Sequence, residues 1–268
     1  MTTNLEILFT PAEFATLDRR DLSQTTCVVF DILRATTTIV TALANGAQAI
    51  IPVAEISEAL AIRQRQPEVL LAGERDGLRI LAAQTGSVDF DLGNSPREFT
   101  RERVADRTVV MTTTNGTRAL RACVQARSVL IGSFLNLSAT AKWVQQLKPS
   151  NLVVVCSGTV EQAAYEDVLA AGALCDGIWA DYSAGKVADS AQIARQIYQL
   201  AQNDLLDALR HSRNGRRLSA IPELAGDVPI CVQRDAANFV AELSKKGVVK
   251  RIDGLIPPSP VANTARTA

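Results

Sequence analysis

Cys27-Val28-Val29-Phe30-Asp31-Ile32-Leu33-Arg34-Ala35-Thr36-Thr37-Thr38 decides the fold class of this chain. An apolar, β-branched run with no polar interruption turns sharply polar at Asp31. It then passes into an Ala/Thr-rich stretch that reads as a helix up to Asn45-Gly46, where both residues tolerate the left-handed backbone that stops helices. A strand over residues 49–53 follows. The same sentence is spoken twice more. Val109-Val110-Met111 precedes Thr112-Thr113-Thr114-Asn115-Gly116-Thr117, a helix over 118–125 and a strand over 128–131. Leu152-Val153-Val154-Val155-Cys156 leads into Ser157-Gly158-Thr159 and a helix with Glu166-Asp167 near its start. Unbroken Val/Ile/Leu strands alternating with helices specify an α/β fold, its mostly parallel or mixed central sheet covered on both faces. Ligands of such sheets sit at the carboxyl ends of strands, so the three polar turns are expected to converge on one crevice.

The rest of the chain fits that class. Residues 4–9 and 69–72 read as strands, 55–66 as a helix resting on Ile56, Leu60 and Ile62, and 85–96 as an exposed loop rich in Gly, Ser, Asp and Asn. A long helix over 188–211 is expected to bury a stripe of Ile193, Ile197, Leu200 and Leu205. One α/β domain is expected over residues 1–253, as one body or two similar lobes, with a loose tail over 254–268 marked by Pro257, Pro258 and Pro260. The Ala-rich stretches 161–177 and 188–211 offer a face for a homodimer.

Composition narrows function. The 268 residues carry 28 Lys plus Arg and 28 Asp plus Glu, a net charge of zero, which removes the electrostatic case for nucleic acid. Aromatics are 4% of the chain, too few for a base-stacking platform. No apolar run approaches the roughly 18 residues of a membrane span, and Met1-Thr2-Thr3-Asn4 opens no secretion signal. A cytoplasmic location without a membrane partner is expected. The five cysteines, Cys27, Cys123, Cys156, Cys175 and Cys231, are odd in number and form no CxxC pair, so they read as small buried hydrophobes. His211 is the single histidine and lies in a polar helix end, Leu209-Arg210-His211-Ser212-Arg213-Asn214-Gly215-Arg216-Arg217. Chemistry is therefore left to carboxylates, Arg, Lys, hydroxyls and backbone amides.

Several residues stand where such chemistry needs them. Asp31 follows a buried strand and either caps the next helix or binds a cation. The second Asp of covalent Asp-nucleophile phosphatases is replaced by Leu33, which favours water over Asp31 as the attacking group. Arg34 offers a fork matched to phosphate or carboxylate oxygens. The Thr112–Thr117 turn offers hydroxyls, one amide and backbone N–H groups to an anion, although it is no Walker loop. Gly93-Asn94-Ser95-Pro96 is a weaker signal that a plain turn also explains. Glu74 ends another strand, and Glu166 with Asp167 opens a helix, where acidic residues also suit the macrodipole. Carboxylates gathered from several strand ends are hard oxygen ligands suited to Mg²⁺.

Together these stretches, with Gly73-Glu74-Arg75, Cys156-Ser157-Gly158-Thr159 and Glu166-Asp167-Val168-Leu169-Ala170-Ala171-Gly172, resemble the 2-phosphosulfolactate phosphatase family. Six motifs fall in the family's order between Val28 and Leu209. The resemblance implies a three-layer α/β/α fold. It also implies a Mg²⁺-dependent phosphoric monoester hydrolase that releases phosphate from 2-phospho-3-sulfolactate, on the way to coenzyme M, or from a related phosphorylated 2-hydroxy acid. It assigns Asp31, Glu74, Glu166 and Asp167 as metal ligands, with Asp31, Glu166 and Asp167 catalytic. Arg34 and Thr113, Thr114, Asn115, Gly116 and Thr117 would hold the phosphate, while Arg75, Asn94 and Ser95 would meet the carboxylate or sulfonate. The stretch from Glu74 to Asn94 is several residues longer than the family pattern. Two other readings compete: a non-catalytic anion-binding module, and another phosphate-ester enzyme such as a sugar-phosphate isomerase or a nucleotide-dependent transferase.

Overall fold

The computed structural model describes residues 3–252, so the expected tail over 254–268 lies outside the described residues. Eleven strands join in one sheet: β1 (Asn4–Leu8), β2 (Thr25–Phe30), β3 (Ala49–Pro52), β4 (Leu70–Arg75), β5 (Leu78–Arg79), β6 (Thr108–Thr112), β7 (Ser128–Gly132), β8 (Asn151–Cys156), β9 (Lys186–Val187), β10 (Val240–Leu243) and β11 (Val249–Ile252). Their order is β5-β4-β6-β3-β11-β10-β7-β2-β8-β1-β9. The chain is an α/β protein with a large, mostly parallel sheet, as its strand–turn–helix repeats require.

The all-apolar strands earn their pattern by burial on both faces. Every residue of β2 is buried. Cys27 and Val29 meet Ile39, Val40 and Leu43 of the helix Ala35–Ala44 and Leu120 of the helix Gly116–Ala122. Val28 and Phe30 point the other way, into Leu169, Leu174 and Ile178 of the helix Tyr165–Tyr182 and Val144 of the helix Leu137–Leu147. Each such side chain contributes about 1.5–3 kcal/mol through its removal from water. A third, smaller cluster covers β4 and β6 around Leu71, Phe90 and Val110, with Ala59 of the helix Ile56–Arg65. All five cysteines are buried and free.

The hairpin β10–β11 was not expected. It inserts between β3 and β7 by three successive antiparallel pairings. An odd number of reversals makes the block β4-β6-β3 run opposite to the block β7-β2-β8-β1-β9. The signal was faint: two four-residue strands around Ser244-Lys245-Lys246-Gly247, with Gly247 at φ 75° closing the turn.

Residues 188–211 form two helices, Asp189–Ala201 and Leu205–His211, separated by a 3-10 turn whose Asp204 carboxylate caps the second through Asp207 N–H at 2.9 Å. The buried stripe is Ala191, Ala194 and Tyr198, whereas Ile193 and Leu200 are 47% and 86% exposed. The cause is a close helix–helix approach. A Cβ on Gly172 would lie 2.1 Å from the Ala194 carbonyl oxygen, so the contact admits Ala but not Ile. The two Ala-rich helices thus face each other, and residues 166–175 are buried rather than presented outward.

The expected exposed loop over 85–96 is half buried. Phe90 and Leu92 are core residues, and Leu92 N–H donates to Leu71 O at 3.0 Å, fastening the segment along β4. The chain before it folds as β5 and the short helix Ala82–Thr85. That anchoring carries Asn94 to the carboxyl end of β4, where Gly73 N–H donates to Gly93 O at 3.1 Å.

Candidate active site

One cavity at that end is lined by Asp31, Glu74, Glu166 and Asp167 together with Arg34, Asn94, Thr113, Thr114 and Asn115. The polar turns after β2, β4, β6 and β8 therefore meet, although β4 and β6 run opposite to β2 and β8. The helices of the two blocks touch there: a Cβ on Gly116 would sit 2.6 Å from Asp31 Oδ2 and from Ala35 Cβ, so the position needs glycine to let the Thr/Asn turn lie against the Asp31 carboxylate.

Asp31, Asp167 and Glu74 are held by backbone N–H groups, and Glu166 by a side-chain amide. Asp31 Oδ1 accepts from Ala35 N–H at 3.0 Å, so the residue caps its helix and faces the cavity as well. Asp167 Oδ1 accepts from Ile32 N–H at 2.8 Å, and its Oδ2 accepts from Ser157 Oγ and Gly158 N–H, both at 3.1 Å. Glu74 ties two turns together, taking Thr114 N–H on Oε1 and Gly77 N–H on Oε2, both at 2.8 Å. Glu166 Oε1 accepts from Asn214 Nδ2 at 2.5 Å, and the same nitrogen lies 2.7 Å from Thr159 Oγ1.

Packing acids this closely has an electrostatic cost. Burial pushes the Asp31 carboxyl up to about 6, with the Glu74 and Glu166 charges adding to it, while the Ala35 N–H and the Ser157 hydroxyl pull the other way. Burial, then the charges of Asp31 and Glu166, hold Asp167 well above the usual carboxylate range. The sign of the consequence follows from linkage. A carboxyl whose folded pKa is raised stabilises the fold below its ordinary value, and that contribution vanishes as pH climbs through the raised one. In EDTA, thermal stability of the wild type relative to Asp31→Asn is expected to fall as pH rises from about 4 to about 7. A difference that stays flat across this window would show that Asp31 titrates normally.

The Thr112–Thr117 turn is more self-contained than its hydroxyl count suggested. Thr112 Oγ1 donates to Ala54 O at 2.9 Å. Thr113 and Thr117 bond to each other, side chain to backbone in both directions, at 3.3 Å, and Thr117 Oγ1 donates to Thr113 O at 3.0 Å. With Thr114 N–H on Glu74, the Thr114 hydroxyl and the Asn115 side-chain amide are cavity-lining groups without a protein partner. Gly116 and Thr117 lie behind the cavity wall.

Arg34 lines the cavity but is 3% exposed and already engaged: Nη1 donates to Asp227 Oδ2 and Nη2 to Gly77 O, both at 2.7 Å. Asp227, wholly buried, also receives Ser95 Oγ at 2.6 Å and Arg97 Nε at 2.8 Å. Ser95 thus faces Asp227 and not the cavity. Arg75 turns to Glu74 O at 2.7 Å and Thr112 Oγ1 at 3.1 Å, away from the cavity. Asn94 is buried in the wall with Oδ1 unpartnered. His211 is exposed and does not line the site.

Sequence reasoning missed Asn214, Arg217 and Asp227. The first two belong to the polar run after His211, which reads as a helix end but forms its own helix, Arg213–Ser219, capped by Ser212. Its i, i+3, i+4 face, Asn214, Arg217 and Leu218, lines the cavity. A Ser-x-x-Gly start followed by paired arginines was the available signal.

Carboxylates facing hydroxyl, amide and guanidinium donors, at the strand ends of an α/β sheet, are what hydrolysis of a phosphate monoester calls for. The chain belongs to the 2-phosphosulpholactate phosphatase family, a family of phosphoric monoester hydrolases, which it matches over residues 12–246. It is 35% identical over 241 residues to a protein of Caldanaerobacter subterraneus subsp. tengcongensis, covering 88% of this chain and 95% of that one. Likewise it is 35% identical over 233 residues to a protein of Caldicellulosiruptor saccharolyticus (85% and 93% covered) and 36% identical over 218 residues to one of Thermotoga petrophila (81% and 88%). Each of the three is named "Probable 2-phosphosulfolactate phosphatase". Among the described residues no helix is long and apolar enough to cross a membrane.

Proposed function

We propose that the chain hydrolyses the phosphate ester of 2-phospho-3-sulfolactate, or of a related phosphorylated 2-hydroxy acid, with Mg²⁺ as cofactor. The observation that carries this reading is the meeting of Asp31, Glu74, Glu166 and Asp167 with Thr113, Thr114 and Asn115 in one cavity. Family membership and the relatives' names support the substrate class.

The donor set suits Mg²⁺. Among the described residues no three or more acidic, His or Cys side chains are already gathered as a metal cage. Mg²⁺, however, keeps several waters and is usually bound by one or two carboxylates plus substrate oxygens. Buried acids that raise one another's pKa are also what a divalent cation would relieve. Asp31, with Glu74, Glu166 or Asp167, would hold it. When bound, it would polarise the phosphoryl oxygens and offset charge as the ester bond breaks.

The chain's own residues do the rest. The Thr114 hydroxyl and the Asn115 amide orient the phosphate beside the carboxylates. Glu74, locked to both the Thr114 and Gly77 amides, keeps that turn at a fixed distance from the acids. Among the acids, an ionised carboxylate takes a proton from the attacking water, and a carboxyl that is not one of the metal's ligands donates a proton to the leaving alkoxide. Leu33 in place of a second Asp favours attack by water over an acyl-phosphate at Asp31.

Phosphate release from 2-phospho-3-sulfolactate, with Mg²⁺ and then with EDTA, tests the reading. Turnover that EDTA abolishes and Mg²⁺ restores is expected. Binding of phosphate with no turnover under either condition would leave an anion-binding module instead.

A further inference from the structure

We propose that Arg217 reads a second anionic group on the substrate, so that the cavity selects phosphate esters bearing a carboxylate or sulfonate near the ester carbon. The inference rests on the phosphate-ester reading and extends it to a specificity residue.

Asp31, Glu166 and Asp167 crowd one part of the cavity wall. Two guanidiniums, Arg34 and Arg217, flank the Asp76-Gly77 turn of the β4–β5 hairpin, a Cβ on Gly77 lying 3.9 Å from an Nη2 of each, and the one cavity carboxylate at that turn, Glu74, is taken up by the Gly77 and Thr114 N–H groups. Arg34 has both outer nitrogens occupied, and its charge is matched by the buried Asp227. Arg217 differs. Its Nη2 donates to Asp76 O at 2.6 Å, while Nε and Nη1 have no protein partner. The nearest carboxylate, Asp76 Oδ1, lies 3.9 Å away on a side chain 96% exposed, where an ion pair is worth little. Among the described residues lining the cavity, Arg217 is therefore the cation with donors to spare.

Its position is firm. Ser212 Oγ accepts from Gly215 N–H at 2.9 Å to start the helix, and Gly215 is pressed so tightly on the Leu209 carbonyl oxygen that a Cβ would lie 1.7 Å from it. One turn before Arg217, Asn214 is fixed to Glu166 and Thr159. A substrate whose phosphate meets the carboxylates must keep any further negative charge away from them. The guanidinium fork of Arg217, half exposed at the cavity, is where that charge is matched.

The test compares 2-phospho-3-sulfolactate with glycerol 2-phosphate, which lacks the second anion, on the Mg²⁺-loaded wild type, Arg217→Gln and Arg217→Lys. The ratio of the two kcat/KM values is expected to fall about 10- to 100-fold in Arg217→Gln, chiefly through KM of the two-anion ester, with Arg217→Lys regaining part of it. An unchanged ratio, or equal losses on both esters, overturns the inference. If the wild type hydrolyses neither ester, the phosphate-ester reading fails, and 3-sulfolactate binding decides Arg217 on its own. The compound should then raise the melting temperature of the wild type and not of Arg217→Gln. Stabilisation of both alike, or of neither, overturns the inference.

Discussion

Phosphate release by Asp31→Asn is expected to fall between about 10²- and 10⁴-fold at saturating Mg²⁺, the range that loss of an acid–base or charge-stabilising group produces. The substitution is close to isosteric. Its oxygen can still accept from Ala35 N–H at 3.0 Å, so the helix Ala35–Ala44 keeps its cap, and Gly116 still allows the Thr/Asn turn to lie against it. The lost feature is the charge that faces Glu74 and Glu166 across the cavity. Removing a mutually repelling carboxylate should leave the metal-free fold at least as stable at neutral pH. An inactive but well-folded variant separates the chemical role of Asp31 from its capping role. Near-normal turnover would remove Asp31 from the reacting centre.

Replacing Asp227 by Ala is expected to cost about 3–5 kcal/mol of stability, because it leaves the Arg34 charge buried without a partner. Two further donors lose their acceptor: Ser95 Oγ, also buried, and Arg97 Nε, which reaches in from the surface. The damage should not stay local. Asp227 opens the helix Asp227–Cys231, and its bonds join that C-terminal segment to the turn after β2 and to the segment carrying Asn94. Activity should fall with it, since Arg34 positions Gly77 and Gly77 N–H in turn holds Glu74. Ser95→Ala should cost less, about 1.5–3 kcal/mol, the scale of one hydrogen bond to a charge that keeps its other partners. Urea unfolding with constant m-values measures both. A loss for Asp227→Ala no larger than that for Ser95→Ala would mean that Arg34 finds another partner or water.

Local signals carried far in this chain. The runs at Cys27–Phe30, Val109–Met111 and Leu152–Cys156 are legible because strands buried on both faces admit only apolar residues. The carboxylates that follow strands or open a helix, Asp31, Glu74, Glu166 and Asp167, stand out as polar residues at the edge of such runs, and all four line one cavity. What escaped reading depends on contacts remote in sequence. Arg34 meets Asp227 across 193 positions, and no spacing rule links them. The helix Asp189–Ala201 buries Ala194 and not Ile193 because Gly172 brings two backbones together, a steric fact that overrides hydrophobic patterning. The hairpin β10–β11 is two four-residue strands, too short for alternation to register, yet it reverses one half of the sheet against the other. Arg217 and Asn214 looked like a solvated helix end until Gly215 packed their helix onto Leu209.

The account stands on acids and a hydroxyl–amide turn forming a single phosphate site around a divalent ion. A crystal grown with Mn²⁺ and vanadate, read by the anomalous signal of the metal, examines that most directly. The metal is predicted within coordination distance of Asp31 and at least one of Glu74, Glu166 and Asp167, with vanadate between it and the Thr114 hydroxyl and Asn115 amide. Metal and vanadate found elsewhere, with these carboxylates keeping only their hydrogen bonds to the protein, would contradict it.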